Sequence, residues 1–296
     1  MRGPAVVASA TLLAGALAAQ GQPAPDRRFG VLGSQATGPA AAAILADLGA
    51  GSVRFHLTFE GNDPDPTPLL SAGIAVVITF KNRDAANVDT TYGTPSQWPN
   101  AGFPCLSHAA YQQAVTAALT PILPLVASGA QVWEQCENEA FNATEKPLFP
   151  FWRGTDQQYL TQLAAFTEAV RALDSRIRVV LTSFSSETLD AAVNPGDPDN
   201  ATAVAHIEAF LASADYNVSD LHLYACVESI PSKILFVASR LPSGKPWIAT
   251  ENGGPDPRCA TTPGDWASNP QAYEQLEAEQ VPQRLGSSVT RPPTAA

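Results

Sequence analysis

The chain has 296 residues, 28 of them acidic and 17 basic, for a formal net charge of −11. Hydrophobic residues make up 45% and charged residues only 15%, which excludes a disordered chain, and the acidic balance excludes a generic nucleic-acid binder. The length admits either one α/β barrel of about 250 residues or two average domains.

Residues 1–19 come first. Arg2 is the only charge before Asp26, and residues 4–19 (PAVVASATLLAGALAA) are almost wholly apolar. The run is short for a membrane span of about 20 residues, and Ala16-Leu17-Ala18 fits a small-x-small cleavage site, so it reads as a secretory signal peptide, with a membrane-anchored N-terminus as the alternative. Residues 20–27 read as a polar linker and 28–285 as the folded domain. The protein is expected to be secreted, with no membrane association after cleavage.

Short apolar runs rich in β-branched residues, bounded by Gly, Pro or polar clusters, predict strands at 28–34, 52–59, 73–80, 131–136, 177–184, 220–225 and 246–250. Helical periodicity lies between them. It is clearest over 156–174, where Thr155 and Gln158 form a capping-box pattern and Tyr159, Leu163, Phe166, Val170 and Leu173 make one apolar face. Weaker helices are predicted at 40–48, 109–119, 202–213, 232–240 and 271–280, and at most a turn of helix within 60–72. Alternating strands and helices imply parallel strands, because parallel neighbours need a crossover. Seven such units predict a (β/α)8 TIM barrel. The stretch after the first strand, Val31-Leu32-Gly33-Ser34-Gln35, lacks the Gly-rich dinucleotide fingerprint. No eighth strand can be found: residues 286–296 contain two consecutive prolines and no apolar run. That tail is expected to be disordered coil outside the sheet, leaving the barrel without its eighth strand.

The four cysteines, Cys105, Cys136, Cys226 and Cys259, show no C-x-x-C spacing, and His56, His108, His206 and His222 are scattered. No metal site is expected. In an oxidising compartment two disulfides are favoured. Spacing alone leaves three connectivities; the strand assignment favours Cys105–Cys136 and Cys226–Cys259, since each pair falls at neighbouring strand ends. Asn142, Asn200 and Asn217 begin glycosylation sequons, which matter only in a glycosylating host.

In a barrel, function collects where strands end. Carboxylates dominate that rim: Glu60 after the second strand, Glu134, Glu137 and Glu139 at the fourth, Glu187 after the fifth, Glu228 after the sixth and Glu251 at the seventh. Paired carboxylates suit glycoside hydrolysis, in which one gives a proton to the leaving oxygen and the other attacks or activates water. Trp133-Glu134-x-x-x-Asn138-Glu139 and Trp247-Ile248-Ala249-Thr250-Glu251-Asn252-Gly253 resemble the strand-four and strand-seven stretches of the clan A glycoside hydrolases, the former with one residue inserted. The resemblance covers roughly residues 28–285 and leaves the branch of the clan open.

That resemblance implies Glu139 as acid/base, Glu251 as nucleophile and no cofactor. It also implies that Arg54, Asn138, His222 and Tyr224 bind substrate. Arg54 suits equally a structural partner of a rim carboxylate, and Asn138 a turn residue. His222 and Tyr224 alternate with Leu223 and so share one side of their strand. Glu137 shares parity with Glu139 and rivals it for the acid role. Trp98, Trp152, Trp266, Phe103, Phe149 and Phe151 in the loops suit either sugar stacking or plugging of a loop onto the barrel, the commoner outcome. The expected protein is a secreted, monomeric, retaining glycosidase acting on a polysaccharide or oligosaccharide. The alternative is a degenerate or truncated carbohydrate-binding barrel.

Overall fold

The computed structural model describes residues 26–33, 38–140, 151–224, 226–253, 259 and 269–289. The predicted signal peptide, Trp266, Phe149 and the sequon at Asn142 lie outside these residues. Seven strands form one parallel sheet in chain order: β1 (Asp26–Leu32), β2 (Ala50–Leu57), β3 (Ala75–Phe80), β4 (Val132–Cys136), β5 (Arg178–Phe184), β6 (Val218–His222) and β7 (Trp247–Glu251). Each strand pairs with its neighbours in sequence, as right-handed βαβ crossovers produce. The crossovers carry α1 (Pro39–Asp47), α2 (Thr67–Ser71), α3 (His108–Leu119), α4 (Leu123–Ala127), α5 (Asp156–Leu173), α6 (Ser186–Val193), α7 (Asn200–Leu211) and α8 (Ile230–Ala238); α9 (Pro270–Val289) follows β7. The sheet is a nearly closed (β/α)8 barrel with one strand missing. Among the described residues no strand joins β7 to β1.

Two boundaries differ from expectation. Asp26 and Arg27, read as linker, already belong to β1. Residues 286–289, read as coil, continue α9. Pro282 sits inside that helix. Residues 290–296 lie outside the described part.

The capping box of α5 forms as predicted: Gln158 N donates to Thr155 Oγ1 at 3.2 Å, and Thr155 N donates to Gln158 Oε1 at 2.8 Å. Tyr159, Leu163, Phe166 and Val170 are then buried along one face, each stabilising by about 1.5–3 kcal/mol. They meet residues pointing outward from the sheet, including Phe80, Val179, Leu181 and Phe184. The two described sequon asparagines hold backbone: Asn200 Nδ2 donates to Ala191 O and Ala192 O, and Asn217 Oδ1 accepts from Val179 N.

Of the two expected disulfides, Cys226–Cys259 is present, with Cα atoms 5.5 Å apart, inside the span a bridge needs. Cys105–Cys136 is not: both are free thiols. Neighbouring strand ends supply proximity but not orientation. The Cys136 thiol points into the helix layer, 3.8 Å from Tyr111 Oη, while Cys105 is anchored by its backbone N–H to Gln162 Oε1 at 2.8 Å. Burial pushes the Cys105 thiol up to about 11 and Cys136 well above the ordinary range. Neither therefore supplies the thiolate that disulfide chemistry requires. Alkylation of the denatured, unreduced chain is expected to label Cys105 and Cys136 alone. Recovery of a peptide joining them contradicts this arrangement. Losing Cys226–Cys259 should cost about 2–4 kcal/mol.

The outer face of β4 carries a second anomaly. Glu134 is fully buried, and neither carboxyl oxygen has a hydrogen-bond partner among the described residues. Burial holds its carboxyl well above the usual range, so it sits in the layer as a neutral acid. Glu137 is also fully buried, and burial, only partly offset by hydrogen bonds from Asn82 and Gln162 and by Lys81 and Arg83, pushes it up to about 8. Both folded values exceed the unfolded value of about 4.3. As pH rises past that value, the unfolded chain sheds protons that the folded chain keeps, and stability falls. Thermal unfolding should therefore show a midpoint that declines between about pH 4.5 and about 8, the window set by Glu137. Glu137→Gln, which keeps the acceptor oxygen, should flatten that decline. An unchanged slope in the variant assigns the effect elsewhere.

Candidate active site

The site is built on a polar inner face. Arg54 on β2 is only 3% exposed. Its Nε donates to Thr79 Oγ1 at 2.9 Å, and its Nη2 donates to Gln135 Oε1 at 2.8 Å and Asn138 Oδ1 at 2.6 Å. Its Nη1 donates to Glu251 Oε1, completing an ion pair. One guanidinium thus ties the ends of β2, β3, β4 and β7 together, using the fixed fork of donors that lysine lacks. Beneath it, Gln135 Nε2 donates to Asp220 Oδ2 at 2.7 Å. Asp220 also accepts from Ser183 Oγ at 2.5 Å and from the N–H and hydroxyl of Thr250 at 2.9 and 2.6 Å. A buried carboxylate accepting four bonds is well satisfied, and this one locks β6 to β7 just before Glu251.

The end of β4 explains the inserted residue. Glu137 and Glu139 both adopt left-handed backbone, with φ of 62° and 43°. Such angles are strained for side chains with a Cβ and cluster at functional sites. The turn is clamped on both sides: Glu137 N donates to Phe80 O at 2.9 Å and Ala140 N to Thr182 Oγ1 at 2.8 Å. Strand alternation fails here, so Glu137 and Glu139 do not share a direction. Glu137 turns away from the mouth. Its Oε1 accepts from Asn82 N and Gln162 Nε2, both at 2.8 Å, and its Oε2 packs where Gly102 leaves no Cβ in the way. It is fully buried beneath that loop.

Glu139 instead faces His222. His222 Nδ1 donates to Glu139 Oε1 at 2.5 Å, and its Nε2 lies 3.5 Å from Glu251 Oε1. One imidazole therefore spans the two carboxylates, each with its side chain 13% exposed. Tyr224 Oη donates to Glu251 Oε2 at 2.9 Å. His222 and Tyr224 do project to the same side, as their alternation requires. For His222, burial opposes the charged form, but Glu139, Glu251 and Asp220 outweigh it and hold the ring above its ordinary value. For Glu251, burial pushes upward, but His222, Arg54 and Tyr224 outweigh it and hold the carboxyl below the usual range. Glu251 is thus kept ionised.

The structure brings Arg54, Asn138, Glu139, His222, Tyr224 and Glu251 together. Sequence reasoning missed Thr79, Gln135, Ser183, Asp220 and Thr250, the neutral and acidic residues that hold them. The signal was present in part, since Asp220, His222 and Tyr224 form a polar run of period two. Other rim carboxylates do different work. Glu60 pairs with Arg83, whose guanidinium also binds the carbonyls of Pro95, Trp98 and Ala101 and so folds the β3–α3 loop back. Glu187 lies in α6 and is exposed. Among the loop aromatics, Phe103 and Trp152 are buried plugs, and Trp98 is partly buried with Arg153 4.2 Å from its ring. Among the described residues no group of His, Cys, Asp or Glu is placed to hold a metal ion.

No family model and no curated protein sequence matches the chain. Solved structures do. The GH53 catalytic domain of Ignisphaera aggregans superposes with a TM-score of 0.55 at 16% identity, covering 90% of this chain and 82% of that one. A Bacteroides uniformis beta-glucuronidase superposes with a TM-score of 0.52 at 11% identity, covering 89% of this chain but only 29% of that one. A structure of beta-glucuronidase 2 from the same organism, covalently bound to cyclophellitol-6-carboxylate aziridine, gives 0.52 at 12% identity, again with 89% and 29% covered. These likenesses show the fold alone, a TIM barrel.

Proposed function

We propose that this chain is a retaining glycoside hydrolase in which Glu251 is the nucleophile and Glu139 the acid/base. One observation carries the reading: two carboxylates at the ends of β4 and β7 face each other across a single imidazole, and one of them is held ionised by Arg54 and Tyr224. A separation of about 5 Å suits direct attack by the second carboxylate, whereas wider spacing leaves room for a water. Glu251 attacks the anomeric carbon while Glu139 protonates the leaving oxygen; water activated by Glu139 then releases the sugar. Arg54 and Tyr224 fix the attacking carboxylate without rotation of its side chain, so no reorganisation accompanies the step. Asn138, oriented by Arg54 through its Oδ1, presents its amide nitrogen to a sugar hydroxyl.

Export fits this reading. The disulfide is stable in an oxidising compartment, and no described helix is long and apolar enough to cross a membrane. A second reading, a carbohydrate-binding barrel without turnover, is favoured by the gap between β7 and β1, which no strand among the described residues fills. Reducing-sugar release from a panel of polysaccharides, repeated with a chelator, separates the two. Chelator-insensitive release supports hydrolysis. Sugar binding without release from any member supports the second reading.

A further inference from the structure

Next to the catalytic pair lies a cation that the proposed mechanism does not use. Lys81 follows β3 directly, and its N–H donates to Leu57 O at 2.8 Å. Alternation from Thr79, which faces Arg54 and Gln135, puts Lys81 on the same inner side, one step nearer the mouth. Its side chain is 5% exposed. The ammonium has three donors, and the described residues satisfy one, through Asn100 O at 3.2 Å. The Phe151 ring lies 5.8 Å away, and no described carboxylate pairs with it. The charges that face it are Arg54, which repels, and Glu137, Glu251 and Glu139, which attract from a distance.

His56 stands beside it. On β2 it is two residues beyond Arg54, so it shares that inner face, and its register partner is Thr79. Burial, followed by the charges of Lys81, Arg54 and His222, pushes its ring down to about 2, so the imidazole is neutral. Its Nε2 is buried without a partner among the described residues. Among the described residues the Lys81 ammonium uses one of its three donors and His56 Nε2 has no partner, and such buried polar groups at the mouth call for a ligand group. The ammonium is a donor, and the neutral imidazole is one in its Nε2–H tautomer. In that tautomer the two groups offer only donors and, with the Lys81 charge and low exposure, fit an acceptor that carries negative charge.

Resting on the glycosidase reading, we propose that Lys81 and His56 form a subsite for an anionic substituent, a carboxylate or a sulfate ester, on the sugar bound against Glu139 and Glu251. The substituent accepts from Lys81 Nζ and His56 Nε2. The subsite thereby makes the enzyme selective for acidic over neutral glycans.

The test uses the full chain and two readouts. In the first, isothermal titration compares glucose and galactose with their uronic acids and their 6-sulfates. The expected result is at least tenfold tighter binding of one charged series, which also tells carboxylate from sulfate. Lys81→Met should remove that advantage, whereas Lys81→Arg, which keeps the charge, should retain most of it. In the second, the same pairs are compared as 4-nitrophenyl glycosides by kcat/KM, and the charged-to-neutral ratio should fall with Lys81→Met. Equal binding of charged and neutral sugars by the wild type overturns the proposal. So does a charge preference that survives Lys81→Met in a variant whose circular dichroism and Tm match the wild type. If Lys81→Met does not fold, His56→Phe takes its place and is expected to weaken the same preference. Charge-selective binding without turnover of any glycoside upholds the subsite and sinks the hydrolase reading alone.

Discussion

Replacing Glu251 with glutamine is expected to lower kcat by a factor on the order of 10⁴ or more, the scale seen when a nucleophile acting in concert with its partners is lost. The amide is nearly the same shape. Its carbonyl oxygen still accepts from Tyr224 or Arg54, which now hold Glu251 Oε2 and Oε1. The fold should therefore survive, and the loss reports chemistry. An amide neither attacks the anomeric carbon nor carries the charge that Arg54 and His222 compensate. Intact-protein mass spectrometry with a slow, activated 2-fluoroglycoside should show a covalent adduct in the wild type and none in the variant. An adduct that persists, or turnover above a tenth of wild type, removes Glu251 from this role.

The second large effect depends on the substrate. Glu139→Ala should reduce kcat/KM by about 10²–10⁴ on glycosides with poor leaving groups, the usual worth of a positioned proton donor. On 4-nitrophenyl and dinitrophenyl glycosides, which leave without protonation, the loss in the first step should be far smaller. The variant also frees His222 Nδ1 from its carboxylate partner, so binding itself will shift. The diagnostic is the slope of log kcat/KM against leaving-group pKa, steep in the variant and shallow in the wild type. Equal losses across the series would transfer the acid role to another group.

How much of this was legible in the sequence follows from what each signal depends on. Strands were legible because apolar β-branched runs are bounded by breakers, and α5 because its cap and its apolar face agree. The α6 helix was not predicted: Ser185 caps it through Thr188 N, but residues 186–193 carry few large apolar side chains. The pairing of Arg54 with Glu251 joins residues 197 apart in sequence, so a rim-carboxylate partner was an open reading of Arg54 but which carboxylate it meets was not legible. The polar floor of Gln135, Ser183, Asp220 and Thr250 is made of residue types that by themselves read as surface. The direction of Glu137 turned on left-handed backbone at non-glycine residues, which no periodicity predicts. The Cys105–Cys136 pairing failed for the same reason, since a bridge needs the direction of Cβ and not merely the neighbouring strand, whereas Cys226–Cys259 formed as expected.

The seam between β7 and β1 bears on how the molecule breathes. All five residues of β7 are partly exposed, whereas six of the seven in β5 are buried. A strand that, among the described residues, is paired on one side opens at lower free energy than the strands at the centre of the sheet. Native-state amide exchange should therefore release β7 in a sub-global step before β5, and Glu251 belongs to the unit that opens first. A ligand spanning Glu139 and Glu251 bridges the ends of β4 and β7, binding the closed form and not the opened one. Its binding free energy then slows exchange at β7 more than at β5, and apparent affinity includes the fraction of molecules in which that strand is already docked.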